Sequence, residues 1–235
     1  MTMGHAMSHS EKQVSPAAIN HIALDSDVVE LVADHLFELQ PFVYQGNQEP
    51  ATICCRKPRW KDVLGFMSAS PAFHYIGMVR WVSVLSIRTS KDWNTALQYH
   101  NAVRELNCFD GCFDTTESRA TLVHFHRLYT LSIDAHDDLQ RNPKNGRFAY
   151  RPILSVLPPS VLRLHIRHAH SPDIRIIELV KQYSPLVEEL WLGRCTMFNR
   201  FPACEFWSAF PFDHDSYIAL EGAEDYAVCL KSLPH

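Results

Sequence analysis

The sequence of 235 residues predicts an α/β fold in which a short N-terminal helical unit precedes a right-handed β/α solenoid with a parallel sheet. Three observations carry this prediction. A short apolar pattern occurs five times, segments of helical periodicity separate its copies, and the region before the first copy contains helical segments without the pattern. Strands that alternate with helices favour a parallel sheet, because each helix returns the chain to the same edge.

The recurring pattern is clearest in LVEELWLGRC, where Val187, Leu190 and Leu192 are followed by Cys195. The central leucine of each copy lies at position 85, 106, 131, 164 or 190, so the intervals are 21, 25, 33 and 26 residues. This pattern resembles the leucine-rich repeat, which has a period of roughly 20–29 residues and ends in Asn or Cys. The alternative is an ordinary α/β sheet whose apolar strands resemble one another by chance.

Helical segments are predicted between the strands. In SPDIRIIELVKQY, Ser171 is suited to the N-cap and Pro172 to the first turn. Its apolar side chains recur at helical spacing, at Ile176, Leu179, Val180 and Tyr183. Other helices are predicted in DWNTALQYHNAV, TTESRATLVHFH and RFAYRPILSVL, and Pro152 is expected to break or begin the last of them.

The N-terminal third divides into a disordered tail over residues 1–20 and a helical unit over 21–80 with an inserted loop over 37–60. The first helix is expected to be capped by Asp27, and its apolar residues share one face: Val28, Leu31, Val32, Leu36 and Leu39. A second helix is predicted in WKDVLGFMSA. A third begins after Ser70, with Pro71 in its first turn.

These three segments together resemble an F-box, and an F-box followed by leucine-rich repeats is similar to a fungal-type F-box architecture. The residues that carry the resemblance are Leu24, Val28, Val29, Leu31, Val32, Leu36, Asp62, Val63, Leu64, Ser68, Ser70, Phe73 and Ile76. The resemblance implies that apolar helix faces bind a Skp-type adaptor, and through it a cullin, in a helix-in-groove mode. The adaptor-binding residues it implies are Leu24, Val28, Leu31, Val32, Leu36, Val63, Leu64 and Phe73. The alternative is that the first helix only caps the end of the solenoid.

A target protein is expected on the sheet face formed by the residues between the pattern leucines, because these should point to solvent. The predicted target-binding residues are Arg163, His165, Arg167, Glu189 and Trp191. An exposed tryptophan beside arginines is typical of an interaction hot spot. The alternative is that the aromatic insertion (197–220) covers Trp191. The solenoid region, 81–235, ends where a next strand is expected, which predicts that it continues beyond His235.

Composition excludes several functions. A net charge of -4 argues against nucleic-acid binding, and the chain lacks an apolar run of membrane-spanning length. Seven cysteines without framework spacing predict reduced thiols and a cytoplasmic or nuclear location. The fourteen histidines show no metal-ligand spacing, so we expect no metal site, cofactor or catalytic residue. The F-box resemblance therefore implies a non-enzymatic substrate receptor of a ubiquitin ligase; the rivals are a repeat scaffold without a ligase and a metal-dependent hydrolase.

Overall fold

The computed structural model describes residues 25–40, 56–109, 111–113, 116–136, 150–169 and 175–195. Helices α1 (Ser26–Leu36), α2 (Trp60–Ala69) and α3 (Pro71–Trp81) come first. The following elements are β1 (Val84–Ile87), α4 (Asp92–Gln98), β2 (Glu105–Cys108), α5 (Thr116–Ala120), β3 (Thr130–Asp134), β4 (Arg163–Ala169), α6 (Arg175–Tyr183) and β5 (Glu189–Arg194). The segments Thr121–His124, after α5, and Arg151–Val156, before β4, are 3-10 helices.

Some predictions concern parts of the chain outside the described residues. They are the N-terminal tail, Leu24, the middle of the inserted loop, the Ser171 cap with Pro172, the aromatic insertion and the C-terminal end.

The five strands form one parallel sheet in the order β1-β2-β3-β4-β5. The five pattern leucines are register partners along it, in the sequence Leu85, Leu106, Leu131, Leu164, Leu190. The predicted α/β class and the predicted parallel strands in chain order are therefore confirmed.

A backbone hydrogen-bond pattern repeats where each strand begins. The carbonyl just before each of β1 to β4 accepts from two consecutive amides at the start of the next strand, with N···O distances of 2.6–3.1 Å. The accepting residues are Ser83, Arg104, Tyr129 and Leu162. Four equivalent pairs of cross-strand hydrogen bonds therefore fix the same stagger between successive strands.

The pattern leucines of the three inner strands form the centre of the core. Leu106, Leu131 and Leu164 are fully buried, together with the apolar residues of the intervening helices, whereas Leu192 on β5 is 37 % exposed. Leu192 still lies on the core side of the sheet, because its register partner is the buried Ile166. Its exposure follows from its position, since β5 is an edge strand within the described part of the chain.

The helix ends follow local capping chemistry, with one correction. Ser70 Oγ accepts a hydrogen bond from the Phe73 amide at 3.1 Å, as predicted for α3. For α1, however, the N-cap is Asp25 and not Asp27, because Asp25 Oδ1 accepts from the Asp27 amide at 3.0 Å. Pro152 lies in the first turn of the second 3-10 helix, so it begins that segment.

Helices α1, α2 and α3 pack around a small core of their own, made by Ala33, Phe37, Val63 and Met67. Gly77 lets α3 approach closely, because a Cβ atom there would lie 2.7 Å from Met67 Cγ and 3.1 Å from Phe37 Cζ. Arg80 of α3 holds α1 from outside this core. Its guanidinium lies 2.6 Å from Asp34 Oδ1 and also pairs with Glu30.

Candidate functional site

The first candidate site is an exposed apolar surface on α1. Val28, Leu31 and Val32 are 47 %, 69 % and 44 % exposed, and their i, i+3, i+4 spacing places them side by side on one helix face. We call these three residues the α1 apolar surface. A neighbouring face of α1, about 100° round the helix, carries Val29 and Ala33, which are buried. The helix thus has two apolar faces, and only one of them takes part in the core.

The other predicted adaptor-binding residues fall into two groups. Leu64 on α2 is 44 % exposed, and Leu36 and Phe73 are half-buried. Val63 is fully buried in the helical core, so its predicted place on an exposed surface is wrong. Its helical spacing explains the error, because Val63 and Leu64 are adjacent residues and necessarily point about 100° apart.

The two ends of the predicted inserted loop lie together. The Gln40 amide donates to the Arg56 carbonyl at 2.9 Å, and Arg56 Nε donates to the Gln40 carbonyl at 2.6 Å. The insertion therefore leaves and re-enters the helical unit at one point. Lys57 then joins this unit to the sheet, because its Nζ donates to the Val84 carbonyl at 3.0 Å and lies 3.8 Å from the centre of the Trp81 ring.

The sheet face between the pattern leucines is largely buried, which contradicts the predicted exposure. At one end Arg56 covers it, with Nη1 at 2.8 and 2.7 Å from the two carboxylate oxygens of Glu105. Further along, Arg167 Nη2 reaches across β3 and donates to Asn107 Oδ1 at 3.0 Å. Buried polar groups are tolerable when they are hydrogen-bonded to one another. The polar residues of this face that are less than a tenth exposed are Glu105, Asn107, Thr130, Ser132, His165 and Arg167.

Three of the five predicted target-binding residues keep accessible surface. Arg163, Glu189 and Trp191 are half-buried, whereas His165 and Arg167 are buried. Glu189 lies at the centre of the accessible group, because its carboxylate is 3.2 Å from Arg163 Nε and 2.9 Å from His165 Nε2.

Trp191 lies along its own strand. A Cβ atom on Gly193 would be 2.3 Å from the Trp191 indole. The ring can therefore lie over residue 193 only because glycine has no side chain. The ring also makes an edge-on contact with His165, with 6.3 Å between ring centres. Trp191 therefore supplies a half-buried aromatic surface near β4.

Burial lowers the pKa of His165, and the nearby cations Arg163 and Arg167 add to this effect. The hydrogen bond and charge of Glu189 act in the opposite direction without cancelling it. The imidazole is thus held towards its neutral form.

The second candidate site is a cluster of Asp134, His136 and His168 at the carboxyl ends of β3 and β4. Asp134 Oδ1 lies 2.7 Å from His136 Nδ1 and 3.0 Å from His168 Nδ1. The two imidazole rings are 3.9 Å apart at their centres. All three side chains are almost enclosed, with 7–12 % of their surface exposed. Two imidazoles and one carboxylate therefore converge on a single point.

The hydrogen bonds within this cluster favour the ionised, carboxylate form of Asp134. Burial alone would raise the pKa of Asp134, but hydrogen bonds from His136 and His168 outweigh it and lower the pKa below its usual range. Such a donor set is chemically able to bind a metal ion.

Sequence reasoning missed this cluster because its members are 34 residues apart in the chain at their widest. Alignment of the repeats brings Asp134 opposite Arg167, one residue from His168, and is the signal that could have found it.

No helix of the described residues has the length and apolar character needed to span a membrane. The chain has no significant match among protein-family models, curated proteins or solved structures.

Proposed function

We propose that this chain is the substrate-recognition subunit of a Skp/cullin/F-box ubiquitin ligase. Helices α1 to α3 form the F-box-like unit that binds a Skp-type adaptor, and the strands and helices after them form a right-handed leucine-rich-repeat solenoid that binds a target protein. Ubiquitin transfer belongs to other subunits of the ligase, so this chain supplies recognition and not catalysis.

The observation that carries the proposal is the α1 apolar surface. Burying an apolar side chain of this size stabilises a protein by about 1.5–3 kcal/mol, and the helical core is filled by other residues. Val28, Leu31 and Val32 have the i, i+3, i+4 spacing of a helix that lies in an apolar groove of another protein. Their exposure also argues against the alternative in which this face caps the sheet.

Two further features support the proposal. The paired ends of the inserted loop and the Arg80 ion pairs keep the three helices in one compact unit despite the insertion. The four equivalent pairs of hydrogen bonds between successive strands support a repeat architecture. On the sheet side, the accessible group of Arg163, Glu189 and Trp191 is small, so we expect additional target contacts beyond it.

The test is co-purification of the full chain with a co-expressed Skp-type adaptor. Leu31→Asp places a charge at the centre of the α1 apolar surface, and we expect at least a tenfold loss of bound adaptor, corresponding to about 1.4 kcal/mol. Leu186→Asp is the matched control, because Leu186 is 59 % exposed in the turn before β5, outside the helical unit. It should retain the adaptor.

Two results would overturn the proposal. One is a wild-type chain that binds no adaptor, which would favour a repeat scaffold without a ligase. The other is equal adaptor binding by the Leu31→Asp and Leu186→Asp variants. Circular dichroism of both variants shows whether a loss of binding reflects the surface or the fold.

A further inference from the structure

We propose that Asp134, His136 and His168 form a site for a divalent first-row transition-metal ion of the Zn²⁺ class, which joins the carboxyl ends of β3 and β4. This inference is independent of adaptor binding, because all three residues lie in the sheet region and none belongs to the helical unit.

The geometry of the ligand atoms is the first argument. Both Nδ1 atoms lie against the same carboxylate oxygen, Asp134 Oδ1, at 2.7 and 3.0 Å, and one ligand atom from each residue lies within 4.8 Å of the others. Zn²⁺ binds imidazole nitrogen and carboxylate oxygen at about 2.0–2.2 Å, so ligand atoms on one ion can be up to about 4.4 Å apart. Only small side-chain shifts would therefore open the cluster around an ion.

The backbone of His168 is the second argument. In a regular strand the side chain of His168 would point to the same face as Leu164 and Ile166, which is the apolar core. The register instead shifts between Ile166 and Ala169, and His168 has φ 58. Among the described residues it is the one non-glycine residue with a positive φ, a conformation that is costly and concentrated at functional sites. This bulge turns the imidazole out of the core and towards Asp134.

The chemistry of the donor set selects the class of ion. Two imidazoles with one carboxylate suit Zn²⁺, Fe²⁺, Co²⁺ or Ni²⁺, whereas Ca²⁺ and Mg²⁺ require mostly oxygen ligands. The ion would balance the charge of an enclosed carboxylate. The three side chains are at most 12 % exposed, which leaves little room for a substrate, so a water molecule would take the fourth position around a tetrahedral ion. The competing explanation is a hydrogen-bonded Asp-His-His network without an ion.

The experiment is a titration of the full chain, first stripped of metal with a chelator, using Zn²⁺ in a calorimeter and Co²⁺ in a visible spectrometer. Asp134→Asn removes one ligand with little change in volume, and His168→Asn removes another with a residue that tolerates the backbone conformation of His168. We expect the wild type to bind one more tight equivalent of Zn²⁺ than either variant, or each variant to bind at least about tenfold more weakly. His126→Asn is the control for exposed histidines and should bind as the wild type does.

Circular dichroism of the metal-free proteins establishes that the variants remain folded. The proposal is overturned if the wild type and both variants bind the same number of Zn²⁺ ions with the same affinity. Should both variants fail to fold, the wild-type Co²⁺ spectrum decides. A tetrahedral or five-coordinate Co²⁺ spectrum that saturates at one equivalent supports the site, and its absence overturns it.

Discussion

The sheet and the helical unit use the same residue types in opposite ways. In the sheet, Leu106, Leu131 and Leu164 are wholly buried, and even the polar face opposite them is mostly enclosed. In the helical unit, a small core suffices and Leu31 is left 69 % exposed. A leucine in the sheet therefore contributes to folding, whereas a leucine on the outer face of α1 is available for association. This difference can be measured by applying one substitution to both regions.

The largest expected effect belongs to Leu131→Ala. Leu131 lies on the middle strand and is fully buried, so truncation removes apolar contacts on all sides and should lower the free energy of unfolding by about 2–5 kcal/mol. The matched substitution Leu31→Ala should change it by no more than about 0.5 kcal/mol, because the side chain is mostly in water. Urea unfolding of both variants provides the comparison. Equal losses would mean that the outer face of α1, and not only its buried face, is packed against the rest of the chain in solution.

A second comparison concerns two ion pairs, one on the enclosed polar face of the sheet and one on the exposed surface of the helical unit. Arg56→Met leaves the Glu105 carboxylate, whose side chain is 9 % exposed, without the guanidinium nitrogen that donates to both of its oxygens. Loss of a partner at a buried polar group should cost about 1–3 kcal/mol in the free energy of unfolding.

The control for this prediction is Arg59→Met. It removes an exposed pair with Asp62 and should leave the urea midpoint nearly unchanged. If both substitutions shift the midpoint equally, the sheet face is open to water near Glu105, and the target-binding surface is larger than its half-buried residues suggest.

The apolar core of the sheet and the start of α3 could be predicted from the sequence, because both depend on the spacing of residues along the chain. The spacing of Leu106, Leu131 and Leu164 identified the strands and their register, and Ser70 with Pro71 identified the start of α3. These signals are local or repeat along the chain.

The polar contacts of the sheet could not be predicted from the sequence, because they join residues that are far apart in the chain. Glu105 is covered by an arginine 49 residues earlier, and no spacing rule connects the two. The bulge at His168 reverses the direction in which a side chain points, so strict alternation predicts the wrong neighbours for it. The bulge and the separation of 34 residues between Asp134 and His168 together hid the Asp134 cluster.

The smallest effect we predict concerns His165, whose pKa is lowered by burial, with Arg163 and Arg167 adding to the shift and Glu189 opposing it. The unfolded chain then takes up a proton near the ordinary histidine pKa of about 6.5, while the folded chain does so only at lower pH. Between these two pKa values the unfolded state binds more protons, so stability should fall as pH decreases below about 6.5 and should be independent of this group above it.

The measurement is the urea midpoint of the wild type and of two histidine variants at about pH 8 and pH 5.5. His165→Gln should reduce the dependence on pH, whereas His124→Gln, at an exposed position, should leave it as in the wild type. A His165→Gln variant with the wild-type dependence would mean that His165 is already exposed to water in the folded protein, and the polar face of β4 would then resemble the open surface of α1 more than the enclosed core.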